Sequence, residues 1–481
     1  MKIYSKTFPN YFCMLLTAVS LLLISCAAKR KAPDLGILYN RAAQYQDEKR
    51  NPVILIPGIL GSKLVDSESG RLVWGAFAGG YANPQKPDGA RLFALPMREG
   101  ANLGSLRDSV VSDGALDRLK VNFLGLPFEL DAYADILGAL GLGGYRDEQL
   151  GIAGAIDYGG DHFTCFQFDH DWRRDNVENA KLLHDFILEK RAYVQAQIEK
   201  RIGIENYNVK FDLVAHSMGG LLARYYLRFG AKDLPEDDSI PLVTWEGSRF
   251  VERAILVAPP NAGSVETLVQ LVDGRKFAIF LPKYEPAILG TMPAAYQGLP
   301  RGRHGALVDD ADTTKTIEDI FNPELWEKMG WGLAASDQDK VLQWLLPDVT
   351  DLAVRRRIAL DHQRKCLRQA RQFTAALDVP ATPPDSLNLF LIAGDALSTT
   401  AVISVDRSNG EIKIIKKGAG DGTVLRSSAL MDERLSGEWA PALVSPIKWT
   451  QVLFVFTEHL KMTKDPAFTD NMLYMLLEHP R

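Results

Sequence analysis

The stretch Val214-Ala215-His216-Ser217-Met218-Gly219-Gly220 constrains the fold more than any other part of this sequence. The apolar run Val209-Lys210-Phe211-Asp212-Leu213 precedes it, and Leu221-Leu222-Ala223-Arg224-Tyr225-Tyr226-Leu227 comes after. These flanks predict a strand, a sharp turn with one serine at its tip, and a helix. Such a turn lifts the hydroxyl out of the sheet. The first helical amides then lie beside it, and their positive end favours developing negative charge. Ala215 and Gly219 are small, as the close approach of strand and helix requires. The plain alternative is a turn whose serine caps the helix. That alternative leaves His216 and the Gly219-Gly220 pair without a role.

The pattern resembles the nucleophile elbow of α/β-hydrolases, G-x-S-x-G, with alanine in place of the first glycine. A serine hydroxyl is a weak nucleophile at neutral pH and needs a base, which in turn needs an orienting carboxylate. In α/β-hydrolases the order along the chain is serine, acid, histidine. Four histidines lie beyond Ser217: His304, His362, His459 and His479. His459 lies just past the buried-strand run Val452-Leu453-Phe454-Val455-Phe456, at the sheet edge where sites form. His304 lies in a polar loop and His479 near the end of the sequence. His362 falls in the charged stretch 355–371 and is assigned to a solvated helix face. Two acids compete. Asp395 comes after the strand-like run 387–394, and Asp421 lies in the glycine-rich turn Gly418-Ala419-Gly420-Asp421-Gly422. Position alone does not separate them. An oxyanion hole needs two donors. One is the amide of Met218. The other belongs to a loop after an early strand, where 52–62 (P-V-I-L-I-P-G-I-L-G-S) places Ile59 first and Leu60 next.

Five short segments, taken in order, resemble the lecithin:cholesterol acyltransferase family. They are P-V-I-L-I-P-G-I-L-G-S-K-L at 52–64, F-D-H-D-W-R-R at 168–174, A-H-S-M-G-G at 215–220, G-D-G-T-V at 420–424 and H-L-K-M at 459–462. The resemblance spans about 50–480 and thins across 264–385. It implies lipid acyl-ester chemistry through Ser217, Asp421 and His459, with Asp395 as the fallback acid. It also puts Ile59 and Met218 at the oxyanion positions. Asp171, Trp172 and Arg173 fall on the family's D-W-R and are read as structural or pocket-lining, with Arg173 paired to Asp171 or Asp169. Animal members close a lid by a disulfide after the first strand, whereas residues 65–110 here contain no cysteine.

The first 25 residues read as an address and not as fold. Lys2 and Lys6 precede an apolar core from Met14 to Ile24, too short to span a bilayer as a mature helix. The adjoining Leu23-Ile24-Ser25-Cys26-Ala27 resembles a bacterial lipobox, so Cys26 is the expected lipidation site. The expectation is an exported, membrane-anchored lipoprotein of the cell envelope, at the outer membrane or periplasmic face. Its partners would be an acyl-lipid substrate and the membrane surface. The alternative is ordinary signal cleavage and release. Of four cysteines, Cys13 is in the leader, and Cys165 and Cys366 remain in the body, Cys165 as a buried strand thiol. No C-x-x-C or H-E-x-x-H occurs, so neither metal nor cofactor is signalled. A formal net charge of −5 gives no nucleic-acid footprint.

Strands alternate with helices along the sequence, which predicts an α/β-hydrolase fold: a mostly parallel central sheet, helices on both faces, and an inserted cap. The expected divisions are 1–25 (leader), 26–50 (anchor and linker, with a helix at 38–49), 51–263 (core), 264–385 (cap) and 386–481 (core). Residues 65–125 read as loops with short helices. The cap tryptophans Trp326, Trp331 and Trp344 are candidates either for an acyl pocket or for cap packing. Together these features predict a serine acyl hydrolase or acyltransferase acting on lipids. The rivals are a catalytically silent binding lipoprotein and a small-ester or peptide hydrolase.

Overall fold

The structure is a computed structural model, and it describes residues 32–45, 50–77, 81–116, 118–123, 126–131, 133–151, 162–276, 282–437 and 439–480. The chain divides into two units, 1–34 and 35–481, and the sheet, its helices and its cover all belong to the second. Cys26, Cys13 and the leader lie outside the described residues.

Six strands form the central sheet: β1 (Val53–Ile56), β2 (Cys165–Gln167), β3 (Phe211–His216), β4 (Val251–Val257), β5 (Asn388–Gly394) and β6 (Gln451–Val455). Their spatial order is β6-β5-β4-β3-β1-β2, and every pairing is parallel. Sequence predicts this because the inner strands are mostly apolar, as strands buried on both faces are, with Asp212 in β3 and Glu252 and Arg253 in β4 as interruptions near their starts. β1 and β3 are buried at every position. Alternate side chains divide between two cores. Ile54, Ile56, Leu213, Ala215, Ala254 and Leu256 pack with helices α2 (Asn176–Ile202) and α3 (Met218–Phe229). Val53, Leu55, Val214, Ile255 and Val257 pack on the other face with α1 (Ala134–Leu142) and α5 (Pro466–Leu477). Ile56 of β1 stands opposite Ala215 of β3, which brings the loop after β1 beside the serine turn.

A third core lies outside the sheet. It joins Leu64, Trp74, Phe93 and Leu116 from the segment after β1 to Leu268, Ile288, Trp326, Trp331 and Leu367 from the region between β4 and β5. The cover is therefore built from two stretches of chain. This corrects the loop assignment of 65–125. Strands Ser62–Asp66, Leu72–Trp74 and Val110–Ala115 make one small sheet, and Ala76–Phe77, Arg118–Phe123 and Leu126–Asp131 make another. Strands this short, broken by glycine and proline, show too few alternations to register as a period. The helix expected at 38–49 is two short helices, Leu35–Leu38 and Asn40–Gln44, and 46–49 lie outside the described residues.

Helix α4 (Leu352–Asp378) carries a second correction. His362 is not on a solvated face. It is 1% exposed, and its Nε2 lies 2.9 Å from Thr291 O. Ile358, Ala359, His362, Cys366, Ala370 and Phe373 recur at steps of one to four and form one buried stripe. Arg356, Arg364 and Arg371 pair with Asp339, Glu327 and Asp319 on the outer face. Trp326 and Trp331 are also core, donating their indole N–H to Ile320 O and Gly410 O at 2.7 Å each. Cys165 and Cys366 are both buried and unpaired thiols.

Candidate active site

Ser217 sits at φ 55° and ψ −126°, left-handed backbone that a side-chain-bearing residue rarely adopts. The turn holds because β3 and α3 are locked around it. The Ser217 N–H donates to Val257 O at 2.8 Å. A Cβ on Gly219 would lie 2.5 Å from Pro57 O and 2.6 Å from Ile56 O, so only glycine permits this contact of helix and strand. Gly220 is pressed in the same way against Pro259.

His459 comes after β6 and opens a short 3-10 turn, His459–Lys464. Its Nε2 lies 2.9 Å from Ser217 Oγ, and its Nδ1 lies 2.8 Å from Asp421 Oδ2. The carboxylate accepts, so Nδ1 carries the proton and Nε2 is left to accept from the serine hydroxyl. Asp421 comes immediately after a strand, Ile412–Gly420, that pairs antiparallel with Leu397–Val405. Its Oδ1 accepts from Thr423 N at 2.9 Å and Val424 N at 2.7 Å, and its carbonyl accepts from His459 N at 2.9 Å. Burial pushes this carboxyl up. The charge of His459 and these hydrogen bonds outweigh burial and hold it below its ordinary value. Asp395 is elsewhere: its carboxylate reaches toward Arg426 Nε at 4.0 Å. Of the remaining candidates, His304 bonds Glu433 at 3.1 Å and His479 bonds Pro480 O.

Ile59 and Met218 both line the cavity that holds Ser217 and His459, and among the described residues neither amide has a hydrogen-bond partner. Trp172 and Trp74 wall the same cavity edge to face, 6.0 Å apart. Trp172 Nε1 donates to Ser62 O at 3.1 Å. Arg173 pairs with Asp171 at 2.7 Å and with Asp108 at 2.9 Å, so D-W-R is a buried strut with one wall-forming ring. Asp169 instead accepts from Gly114 N.

The cavity holds about 260 Å³ and is mostly apolar, with Leu60, Leu271, Leu289 and Met292 among its walls. Trp326, Trp331 and Trp344 are not in its lining. Arg275 is the only arginine or lysine among the lining residues. Its Nη1 donates to Gln270 Oε1 at 2.6 Å. Burial pulls its pKa down to about 10, with Glu266 acting in the opposite direction. Sequence reasoning missed Tyr133 and His216, which pack under the serine with hydroxyl and Nδ1 2.9 Å apart.

A six-stranded parallel sheet covered on both faces, with a strained serine after its third strand, defines an α/β-hydrolase fold. A family model described as Lecithin:cholesterol acyltransferase matches residues 158–330, about a third of the chain. That span holds the D-W-R and serine segments but not residues 52–64, 420–424 or 459–462. No curated protein matches the sequence. A chain of the Tle4-Tli4 complex is similar in fold at 15% identity, covering 89% of this chain and 98% of that one, with a TM-score of 0.52. Lipase 1 from Pelosinus fermentans covers 90% of this chain and 100% of its own at 12% identity, with a TM-score of 0.35. The family match and the fold support a lipid-ester hydrolase or acyltransferase in general terms. Among the described residues no helix is long and apolar enough to cross a membrane.

Proposed function

We propose that this protein is a serine acyl hydrolase or O-acyltransferase acting on lipid esters. Ser217 Oγ attacks the ester carbonyl while His459 Nε2 takes its proton and then returns it to the leaving alcohol. Asp421 holds the imidazole in the tautomer with Nδ1–H and stabilises its charge. The amides of Ile59 and Met218 hold the oxyanion, each contributing about 3 kcal/mol by analogy with other oxyanion donors. The acyl-enzyme passes its acyl group to water or to a second alcohol.

One observation carries this reading: Ser217, His459 and Asp421 are bonded in series at 2.9 and 2.8 Å and open into an apolar cavity. The apolar walls favour an acyl chain over a small ester. The strained φ at Ser217 argues against a silent scaffold, which has no use for it. Residues 264–385 serve as the cap in this reading, supplying Leu271, Leu289 and Met292 to the pocket. Arg275 supplies a cation for a polar or anionic headgroup. Export with lipid anchoring at Cys26 belongs to the same proposal, on the strength of residues 14–27. An anchor there holds the enzyme at a membrane surface, beside its substrate.

The test is mass spectrometry of products from mixed phospholipids, with and without an added alcohol. Wild type should release fatty acid or form a new acyl ester, and Ser217→Ala should do neither. Turnover of short esters with no release from long-chain lipids would favour a small-ester hydrolase instead.

A further inference from the structure

Beneath the serine runs a hydrogen-bonded chain that joins four separate parts of the sequence. The Gly58 N–H donates to Tyr133 Oη at 2.9 Å. Tyr133 Oη lies 2.9 Å from His216 Nδ1, and His216 Nε2 lies 3.3 Å from His459 O. With a neutral His216 ring, only one arrangement of protons satisfies all three contacts. A carbonyl cannot donate, so His216 carries its proton on Nε2 and gives it to His459 O. Its Nδ1 is then an acceptor, which takes the Tyr133 hydroxyl proton while the same oxygen accepts from Gly58. Both side chains are buried, Tyr133 at 4% and His216 at 3% exposure.

The ends of this chain matter. Gly58 immediately precedes Ile59 on the oxyanion loop. His459 is the base, and its own N–H is tied to Asp421 O at 2.9 Å. His216 immediately precedes the nucleophile. A Cβ on Gly61 would come within 2.9 Å of Tyr133 Oη, so the phenol is also fitted against the far end of the oxyanion loop. Neither Tyr133 nor His216 is hydrogen-bonded to Ser217 Oγ or to the His459 ring, although both line the cavity and the His216 ring packs 5.0 Å from that of His459; their hydrogen bonds act on the loops they join.

We propose that Tyr133 and His216 are a pair of positioning residues that set the oxyanion loop and the histidine loop against each other. The oxyanion donors and the general base then hold one fixed geometry. The proposal rests on the serine-hydrolase reading of Ser217, His459 and Asp421. Burial, and next the charge of His459, lower the His216 pKa to about 3, which keeps the ring neutral and Nδ1 an acceptor.

Both variants break the central link; Tyr133→Phe also removes the acceptor of the Gly58 N–H, whereas His216→Gln leaves that bond in place. Tyr133→Phe leaves His216 bonded to His459. His216→Gln retains a donor for His459 O but offers Tyr133 nothing at the Nδ1 position. The readouts are kcat and KM on a soluble ester, the rate of fluorophosphonate labelling, and Tm. Each variant should lose on the order of ten-fold or more in kcat and in labelling rate, with KM within about two-fold. The double variant should fall no further than the worse single one, because both remove the same central link. Unchanged kcat in a folded single variant, or losses that multiply in the double, would overturn the proposal. Wild-type protein supplies an independent measurement. ¹⁵N shifts of His216 should report the Nε2–H tautomer from pH 5 to 9, and an Nδ1–H tautomer would overturn the proposal without reference to activity. If wild type is not labelled at all, the hydrolase reading fails, and the tautomer result still stands or falls alone.

Discussion

Gly58 and Ser217 touch: a Cβ on the glycine would lie 2.7 Å from Ser217 Cβ and 3.3 Å from its Oγ. The loop after β1 is thus seated directly on Ser217, and the contact closes only because position 58 has no side chain.

The same logic applies one turn away, at Gly219. Its missing Cβ would meet two backbone oxygens, which cannot swing aside as a side chain would. Gly219→Ala should cost about 2 kcal/mol or more of unfolding free energy, by the usual cost of overpacking. Gly138, in α1, has nothing within 4 Å. Gly138→Ala should be neutral or stabilising by up to about 1 kcal/mol. Urea denaturation of the two variants checks both expectations.

Asp421 and Asp395 are separable by mutation. Asp421→Asn leaves the His459 contact in place but favours the wrong tautomer, and should lose on the order of 10⁴ in turnover. Among the described residues the ion-pair partner of Asp395 is Arg426, at 4.0 Å, and not His459, so Asp395→Asn should stay within a few-fold of wild type. Steady-state kinetics on one soluble ester suffices.

Stability should fall as pH drops below 7. Burial lowers His170 and His362 to about 4 and His216 to about 3. Between about 6.5 and 4 the unfolded chain binds protons at these three histidines while the folded protein does not, so unfolding is favoured as pH falls through that window. Asp421 acts in the same direction lower down, where its depressed carboxyl loses its bonds on protonation. The urea midpoint should decrease steadily from pH 7 to pH 4.5. His362→Gln should flatten part of that slope.

Arg275 should act on binding and not on the chemical step. Its guanidinium stands in the wall of a mostly apolar cavity and donates to Gln270. Arg275→Gln should raise KM about ten-fold for esters bearing a phosphate headgroup and leave kcat nearly unchanged. Kinetics on a neutral ester of the same acyl length should show no change.

The serine turn was legible because steric demand writes itself locally: an apolar strand, a serine, and small residues at 215 and 219. His459 was legible for a related reason, since it comes shortly after an apolar run that forms a strand, although β6 lies at the sheet edge and is half-buried at four of its five positions, not buried as its apolar run implied. The acid was not. Asp395 and Asp421 both come after strands, and the hairpin 397–420 that carries Asp421 to His459 has half-exposed strands with weak alternation. The family resemblance, not position, pointed to Asp421. Tyr133 left no local signal, because its contacts join segments 75 and 83 residues away. At His362 the density of arginines was read ahead of the spacing of Ile358, Cys366 and Ala370, and the spacing was the better guide.

The proposed chemistry depends on one reactive atom, Ser217 Oγ, held 2.9 Å from His459 Nε2. Fluorophosphonate labelling of the folded protein, with the modified peptide located by mass spectrometry, tests it most directly. A single adduct on Ser217, absent in Ser217→Ala and much slower in a folded His459→Gln variant, is the expected result. Label on another residue, or label that survives Ser217→Ala, would contradict it.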